Sequence, residues 1–400
     1  MIRVWMLSLL VGSMLIFLPA DAFDRREQCT SMLVTAAASA DGVPILWKNR
    51  DTGVLSNRVV YVDEEPFDYL ALVDWEDPSG RRCFAGLNSA GFAIINTVAY
   101  NLPDKQGEVK DQEGTIMADA LRTCRTVNDF RRYLESGSGP NLGSLANFGV
   151  LDGDGRILLF EVHNHGFTVQ DPAASPKGYL VNTNFARSGE ADKGAGYLRF
   201  KRAVELADAI DEGPILFETI LTRFSRDTGH VLLRTPVVEE LVAASGIPEW
   251  ISTKDCINKY HTAACVVFVG GHKAEDGTPA TMWVIPGEPL TAVAIPLWVE
   301  AGCSPDPLWN GQPDAPLWRE SLRIKKIIRP LTGGNQADYL YLPPLRNREH
   351  LGIRDLLDPL EQGVLAETTA FLKQRHTPAQ YRDFQQKMAD RVLEAMQKIN

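Results

Sequence analysis

From residue 29 to about residue 298, apolar positions recur mostly at strand spacing. Short β-branched and aromatic-rich runs lie at Thr30–Thr35, Arg58–Asp63, Tyr69–Trp75, Phe92–Ala99, Ala146–Asp152, Ile157–His163 and Gly178–Asn184. Ala264–Gly270, Thr281–Ile285 and Ala292–Trp298 continue the pattern. Asp41-Gly42 and Asp152-Gly153-Asp154-Gly155 predict hairpin turns, because such residues tolerate the left-handed backbone of tight loops. Short connections predict mainly antiparallel pairing. Helical spacing appears in Thr115–Leu134, in Tyr197–Ile210 (Tyr197, Phe200, Val204 and Ala207 on one face) and in Gly213–Phe224. Strands grouped together with helices outside them predict a layered α+β domain.

Near Gly302 the pattern changes. Residues 303–317 are rich in Pro, Asp and Gly, and the chain beyond is largely helical and charged. Thr377-Pro378 predicts a helix start, with Thr as cap and Pro at the first helical position. Tyr381, Phe384, Met388, Ala395 and Ile399 then form an apolar stripe suited to packing on the main domain. The run Arg323-Ile324-Lys325-Lys326-Ile327-Ile328-Arg329 is expected to be a solvated, amphipathic helix face. At the other end, Arg3 precedes an apolar run from Val4 to Leu18, too short for the ~20 residues of a comfortable membrane span. Ala20 and Ala22 fit the small-x-small rule of signal peptidase, so cleavage is expected before Phe23. The expected organisation is a signal peptide over 1–22, a short propeptide over 23–28, a catalytic domain over 29–302 and an accessory helical tail over 303–400. The expected location is secreted or periplasmic, with no stable membrane span after signal removal.

Composition changes this picture little. Apolar residues are 44% and charged residues 23% of the 400, an ordinary globular balance. The net charge of -10 gives no electrostatic reason to bind nucleic acid. The six cysteines, Cys29, Cys83, Cys124, Cys256, Cys265 and Cys303, contain no CxxC pair and so do not suggest a zinc site. Export would permit disulfides, with connectivity open. His163-Asn164-His165 lacks a third metal ligand, and the Asp152 turn has His163 where a calcium loop needs Glu. No GxSxG nucleophile elbow or phosphate-binding loop is present. No metal and no cofactor are expected.

Cys29 is the residue with the most chemistry to offer. It lies just past the signal and a six-residue stub, Phe23–Gln28. Freed at its N-terminus, it would carry both a thiol and an α-amine of pKa ~7.7–8.0, so one residue would supply nucleophile and base. A carboxylate is needed to orient that amine, and a nearby cation would favour the thiolate. The hairpin leading to Ile45-Leu46-Trp47-Lys48-Asn49-Arg50-Asp51 could return Asp51 with Lys48 or Arg50 beside Cys29.

Cys-Thr at the start of a strand, followed by a hairpin and a basic-Asn-x-Asp element, resembles the N-terminal nucleophile cysteine hydrolases. That group includes bile salt hydrolases, penicillin V acylases, acid ceramidase and isopenicillin N acyltransferase-like proteins. The resemblance covers roughly residues 29–300. The family pattern is Arg-Asn-x-Asp, and Lys48 stands here in the Arg place. Because Arg50 is expected on the sheet face opposite Asp51, Lys48 is the expected cationic partner. Gly86–Thr97 is similar to the family's Asn-x-x-Gly strand, which implies an oxyanion role near Asn96. Val181-Asn182-Thr183-Asn184 resembles its Thr-Asn element, which implies that Asn184 donates its side-chain amide to the oxyanion. Lys259, in Lys259-Tyr260-His261-Thr262, stands where the family carries a further basic residue. Loop Ala186–Gly196 would border the pocket.

The fold this implies is a four-layer αββα sandwich with an accessory C-terminal helical region. The activity it implies is cleavage of a linear amide through an acyl-thioester on Cys29, after self-cleavage of the Gln28–Cys29 bond. Asp51, Asn184, Asn96 and Lys48 would assist, and Arg50 and Lys259 would set electrostatics or bind substrate. The partner would be a small-molecule amide or N-acyl compound. An acyltransferase on the same scaffold, an inactive secreted binding protein and a calcium- or zinc-dependent enzyme are the alternatives.

Overall fold

The computed structural model describes residues 28–77, 79–210, 213–233, 248–272, 277–312 and 315–399. The expected signal peptide and most of the propeptide lie outside the described residues. The strands are β1 (Gln28–Val34), β2 (Ile45–Asp51), β3 (Asn57–Val62), β4 (Tyr69–Asp74), β5 (Ala85–Asn88), β6 (Ala93–Val98), β7 (Leu145–Leu151), β8 (Ile157–His163), β9 (Gly166–Gln170), β10 (Tyr179–Asn182), β11 (Trp250–Ser252), β12 (Thr262–Val269), β13 (Thr281–Pro286), β14 (Ile295–Leu297) and β15 (Tyr339–Tyr341). The helices are α1 (Glu113–Thr123), α2 (Val127–Gly137), α3 (Tyr197–Asp208), α4 (Phe217–Thr222), α5 (Pro316–Ile328), α6 (Ile353–Phe371) and α7 (Pro378–Gln397).

One sheet has the strand order β10-β1-β2-β12-β13-β14, and a second runs β3 to β9 as a meander. Their paired neighbours are antiparallel. The two sheets face each other. Leu46 of β2 sits so close to Gly149 of β7 that a Cβ on that glycine would lie 2.9 Å from Leu46 Cδ1, so only a residue without a side chain lets the strands approach. Outside the second sheet, α1 and α2 bury Ile116, Met117, Leu121, Phe130 and Leu134 against Ile94, Phe148 and Phe160. Outside the first, Phe217 of α4 stacks on Trp283 and Phe224 meets Trp47. The architecture is therefore an αββα sandwich.

Three local differences from the sequence reading have physical causes. The expected helix Thr115–Leu134 is two helices, because Thr126 caps α2 through a reciprocal capping box with Asp129 and ends the run. The deepest residues of α3 are Arg199, Ala203 and Ala207, while Tyr197 is exposed. The basic run on α5 is not simply a solvated face: Lys325 and Arg329 are buried on Glu288 at 3.0 and 2.7 Å. The region after residue 302 also contributes a strand, β15, which pairs with β11. Trp318, Ile324, Leu357, Val364 and Met388 of this region join the same hydrophobic cluster as Trp47 and Trp283.

Candidate active site

Strand alternation sorts the candidate residues. In the β1–β2 register, Cys29 lies opposite Arg50, Ser31 opposite Lys48, and Gln28 opposite Asp51. Residues two apart share a face and neighbours in sequence do not. Cys29, Ser31, Lys48 and Arg50 therefore face the second sheet, with Leu46. Gln28, Thr30 and Asp51 face the helices, with Trp47. The expectation that facing separates Lys48 from Arg50 is thus corrected: a spacing of two puts both cations on the thiol's side and Asp51 on the other.

On the inter-sheet side the two cations are held by the second sheet. Lys48 Nζ donates to the Asn96 Oδ1 at 2.7 Å and to the Phe84 carbonyl at 2.9 Å. Asn96 thus enters the site through Lys48, offering the ammonium an acceptor. Arg50 pairs with Asp74 at 2.8 Å, donates to Asn57 Oδ1, and lies 3.5 Å over the Phe84 ring. The Asn88-x-x-Gly91 element forms the β5–β6 turn: Asn88 Oδ1 accepts from the Ala90 and Phe92 N–H groups, and Gly91 takes φ +78°.

The helix-facing side converges on the Gln28–Cys29 junction. The Cys29 N–H donates to Asn184 Oδ1 at 3.0 Å. Asn184 follows β10, beside β1 in the sheet, and its Nδ2 donates to the Val98 carbonyl at 3.0 Å. With the Gln28–Cys29 bond intact, the amide expected to serve an oxyanion is thus engaged with Val98, and its oxygen orients the Cys29 nitrogen. Arg199 Nη1 donates to Thr30 Oγ1 at 2.8 Å and to the Cys29 carbonyl at 2.5 Å. Arg199 Nη2 donates to Asn184 Oδ1 at 2.8 Å and to Gln28 Oε1 at 3.5 Å. Lys259 Nζ also donates to Gln28 Oε1 and lies 3.2 Å from Asp51 Oδ2. Asp51 Oδ1 accepts from Thr262 Oγ1 at 2.8 Å, and Arg199 Nη1 is 3.9 Å from Oδ2. Cys29, Asp51, Asn184, Arg199, Lys259 and Thr262 are all buried. Burial pushes the Lys259 ammonium below its ordinary pKa, with Asp51 opposing that shift.

Arg199 was not among the sequence candidates. It is wholly buried one turn into a helix whose periodicity drew attention to its apolar neighbours. The signal available was a cation following Gly194-Ala195-Gly196. Gly196 has φ +80°, and a Cβ there would meet Arg199 Nη2 at 2.6 Å, so the glycine makes room for the guanidinium. The loop between Asn184 and α3 is pinned at its start. Buried Glu161 accepts from the Arg187 N–H at 2.6 Å and the Ser188 N–H at 2.8 Å, and Asn101 Nδ2 donates to the Ala186 carbonyl at 2.8 Å.

No disulfide joins any of the six cysteines. Burial pushes Cys83, Cys124, Cys256 and Cys265 up to about 12, which keeps these thiols protonated near neutrality. His165 Nε2 pairs with Glu108, and no group of three His, Cys, Asp or Glu among the described residues is placed to hold a metal ion. No helix among the described residues is long and apolar enough to cross a membrane.

Neither a family model nor a curated protein matches the chain. Among solved structures, the chain is similar to an N-acylethanolamine-hydrolyzing acid amidase ortholog from Caenorhabditis elegans, at 14% identity over 60% of this chain and 92% of that one, with a TM-score of 0.40. It is similar to a mutant of a conjugated bile acid hydrolase from Clostridium perfringens, at 14% identity over 64% and 92%, with a TM-score of 0.35. It is also similar to a penicillin V acylase from Agrobacterium tumefaciens, at 16% identity over 67% and 86%, with a TM-score of 0.39.

Proposed function

We propose that this chain is an exported amide hydrolase that activates itself by cutting the Gln28–Cys29 bond and then uses Cys29 as an N-terminal nucleophile. The observation that carries the reading is the convergence of buried polar side chains on the two residues which that bond joins. Asn184 and Arg199 hold the two backbone groups of Cys29, and Lys259 and Arg199 hold the Gln28 side chain. Burying so many charges costs stability unless each is paired, and such perturbed clusters concentrate at functional sites.

In self-cleavage the Cys29 sulfur attacks the Gln28 carbonyl carbon. The S–C bond forms, the C–N bond breaks, and the nitrogen takes the thiol proton. Water then hydrolyses the thioester, releasing the propeptide carboxylate and restoring the thiol. In turnover the free α-amine accepts the thiol proton, the thiolate attacks a substrate amide, and the amine returns the proton to the leaving nitrogen. Asn184 Oδ1, already on the Cys29 nitrogen, and Asp51, in the adjoining ion cluster, orient that amine. Lys48 and Arg50, on the thiol's face of β2, favour the thiolate. Once the peptide is cut, release of the Asn184 amide from the Val98 carbonyl frees a donor for the oxyanion.

Intact mass and N-terminal sequencing of the exported protein test the reading, beside the Cys29→Ala variant. The expected result is a wild-type chain beginning at Cys29 and a variant that keeps its propeptide. A mature, active Cys29→Ala protein overturns the reading.

A further inference from the structure

We infer that Lys259 and Arg199 form an acceptor pocket on the helix-facing side of β1, filled by the Gln28 side chain before cleavage and by an anionic acyl group of the substrate afterwards. This rests on the proposed function, and adds a substrate class to it. Gln28 Oε1 accepts from Lys259 Nζ and from Arg199 Nη2 at 3.5 Å. Both cations are buried, and the carboxylate beside them is Asp51. Asp51 Oδ2 has no aligned hydrogen bond, so one carboxylate serves two cations imperfectly. When residue 28 leaves, its carboxamide oxygen leaves too, and the pocket keeps one positive charge in excess with a donor left over. The buried ammonium then keeps Asp51 at 3.2 Å but is one hydrogen bond short, and a carboxylate at that position restores the bond and balances the charge.

The geometry also defines where the anion belongs on the substrate. The acyl group that Cys29 takes from its own precursor is residue 28, whose side-chain oxygen is carried at the end of a short chain from the reacting carbonyl. An amide of a dicarboxylic acid with the same spacing, a glutaryl amide, places a carboxylate oxygen where Gln28 Oε1 sits. An apolar acyl group of equal length leaves Lys259 one hydrogen bond short, and discrimination of that kind is strong because the loss falls on a buried charge.

Two measurements test this. Mature wild-type protein is given glutaryl anilide and 5-methylhexanoyl anilide. The expected result is a kcat/KM for the glutaryl compound higher by about 10- to 100-fold, the worth of one charged hydrogen bond. Separately, the rate at which full-length precursor becomes mature is compared for wild type, Gln28→Leu, Gln28→Glu, Lys259→Met and the Gln28→Leu/Lys259→Met double variant. Gln28→Leu is expected to mature at least about tenfold more slowly and Gln28→Glu no more slowly than wild type. The double variant should be no slower than the slower single variant, since both remove the same contact. Equal kcat/KM for the two anilides overturns the pocket and leaves Cys29 as nucleophile. Additive slowing in the double variant overturns the assignment of Lys259 to Gln28. If a precursor variant fails to fold, the anilide pair on wild-type protein decides. Failure of wild type to cleave its propeptide or either anilide overturns the proposed function itself, and the pocket with it.

Discussion

Two buried ionic clusters sit on the helix side of the same sheet, and they are built differently. In one, Glu288 accepts from Arg329 Nε and Nη2 at 2.9 and 2.7 Å and pairs with Lys325 at 3.0 Å, while Arg329 Nη1 donates to Thr253 Oγ1 at 3.0 Å. In the other, Asp51 meets Lys259 at 3.2 Å and Arg199 at 3.9 Å without aligned hydrogen bonds to Oδ2, and much of the donor capacity of both cations goes to Gln28, Cys29 and Asn184. The Glu288 cluster satisfies itself and ties α5 to the sheet. The Asp51 cluster is completed by the peptide bond it surrounds. A closed ion network serves the fold, whereas an open one serves whatever closes it.

The largest expected effect is at the residue whose backbone the open cluster holds. Cys29→Ala should abolish self-cleavage and lower turnover on the order of 10⁶-fold, the scale of removing a nucleophile. Mass spectrometry and an amidase assay read both losses, and the urea midpoint should stay near wild type because a small buried side chain is replaced by another. Next, Asp51→Asn should lower kcat/KM by ~10²- to 10⁴-fold, the range for a group that supports proton transfer. Its effect on unfolding should be the smaller of the two clusters, since Asp51 Oδ2 accepts no aligned hydrogen bond and Arg199 keeps Cys29, Thr30 and Asn184 as acceptors. Glu288→Gln should do the reverse. It leaves Arg329 and Lys325 buried without their carboxylate and should cost about 3–5 kcal/mol of stability by urea denaturation. The activity per folded molecule should be kept. If Glu288→Gln and Asp51→Asn lose activity and stability in equal proportion, the distinction between the clusters is wrong.

The layered architecture was legible because hairpin turns and β-branched runs are local signals. Ile157–His163 is the clearest case, where the expected and observed strands coincide. Ala85–Asn88 and Gly166–Gln170 carried no such signal: the first is four residues long with two small side chains, and the second is only partly buried. Cys29, Asp51 and Asn184 could be named from order along the chain, and the structure brings Cys29 onto Asn184 directly. The sharing of one face by Lys48 and Arg50 follows from period two alone. Their partners, Asn96 and Asp74, belong to the other sheet, and no local pattern specifies contacts between sheets. Arg199 and Lys325 were missed or misread for one reason. A charged residue inside a helical pattern reads as solvated until its buried acceptor, far away in sequence, is known.

The smallest expected effect is the pH dependence that the buried Lys259 ammonium adds. Burial lowers the Lys259 pKa from its ordinary value near 10.4, so the folded protein gives up that proton at a lower pH than the unfolded chain does. Well below both values each state is charged, and the folded state bears the full burial penalty. Between the lowered folded value and about 10.4 the unfolded chain holds the Lys259 proton that the folded chain has lost, so the contribution of this group to stability rises with pH in that window, by at most about 1.4 kcal/mol per pH unit. Lys325 is lowered for the same reason and contributes a slope of the same sign. The four buried thiols held up to about 12 oppose it above about pH 8.5, where unfolded cysteine ionises, and raised tyrosines such as Tyr69 and Tyr133 oppose it near and above about pH 10. Urea denaturation of wild type and Lys259→Met, both taken as mature protein, between about pH 8 and about pH 9.5 isolates the Lys259 contribution, because every other titrating group is then common to both. The stability of wild type minus that of the variant should climb with pH. A flat difference would mean that Lys259 keeps its proton across the window and that the Asp51 carboxylate outweighs the cost of burying it.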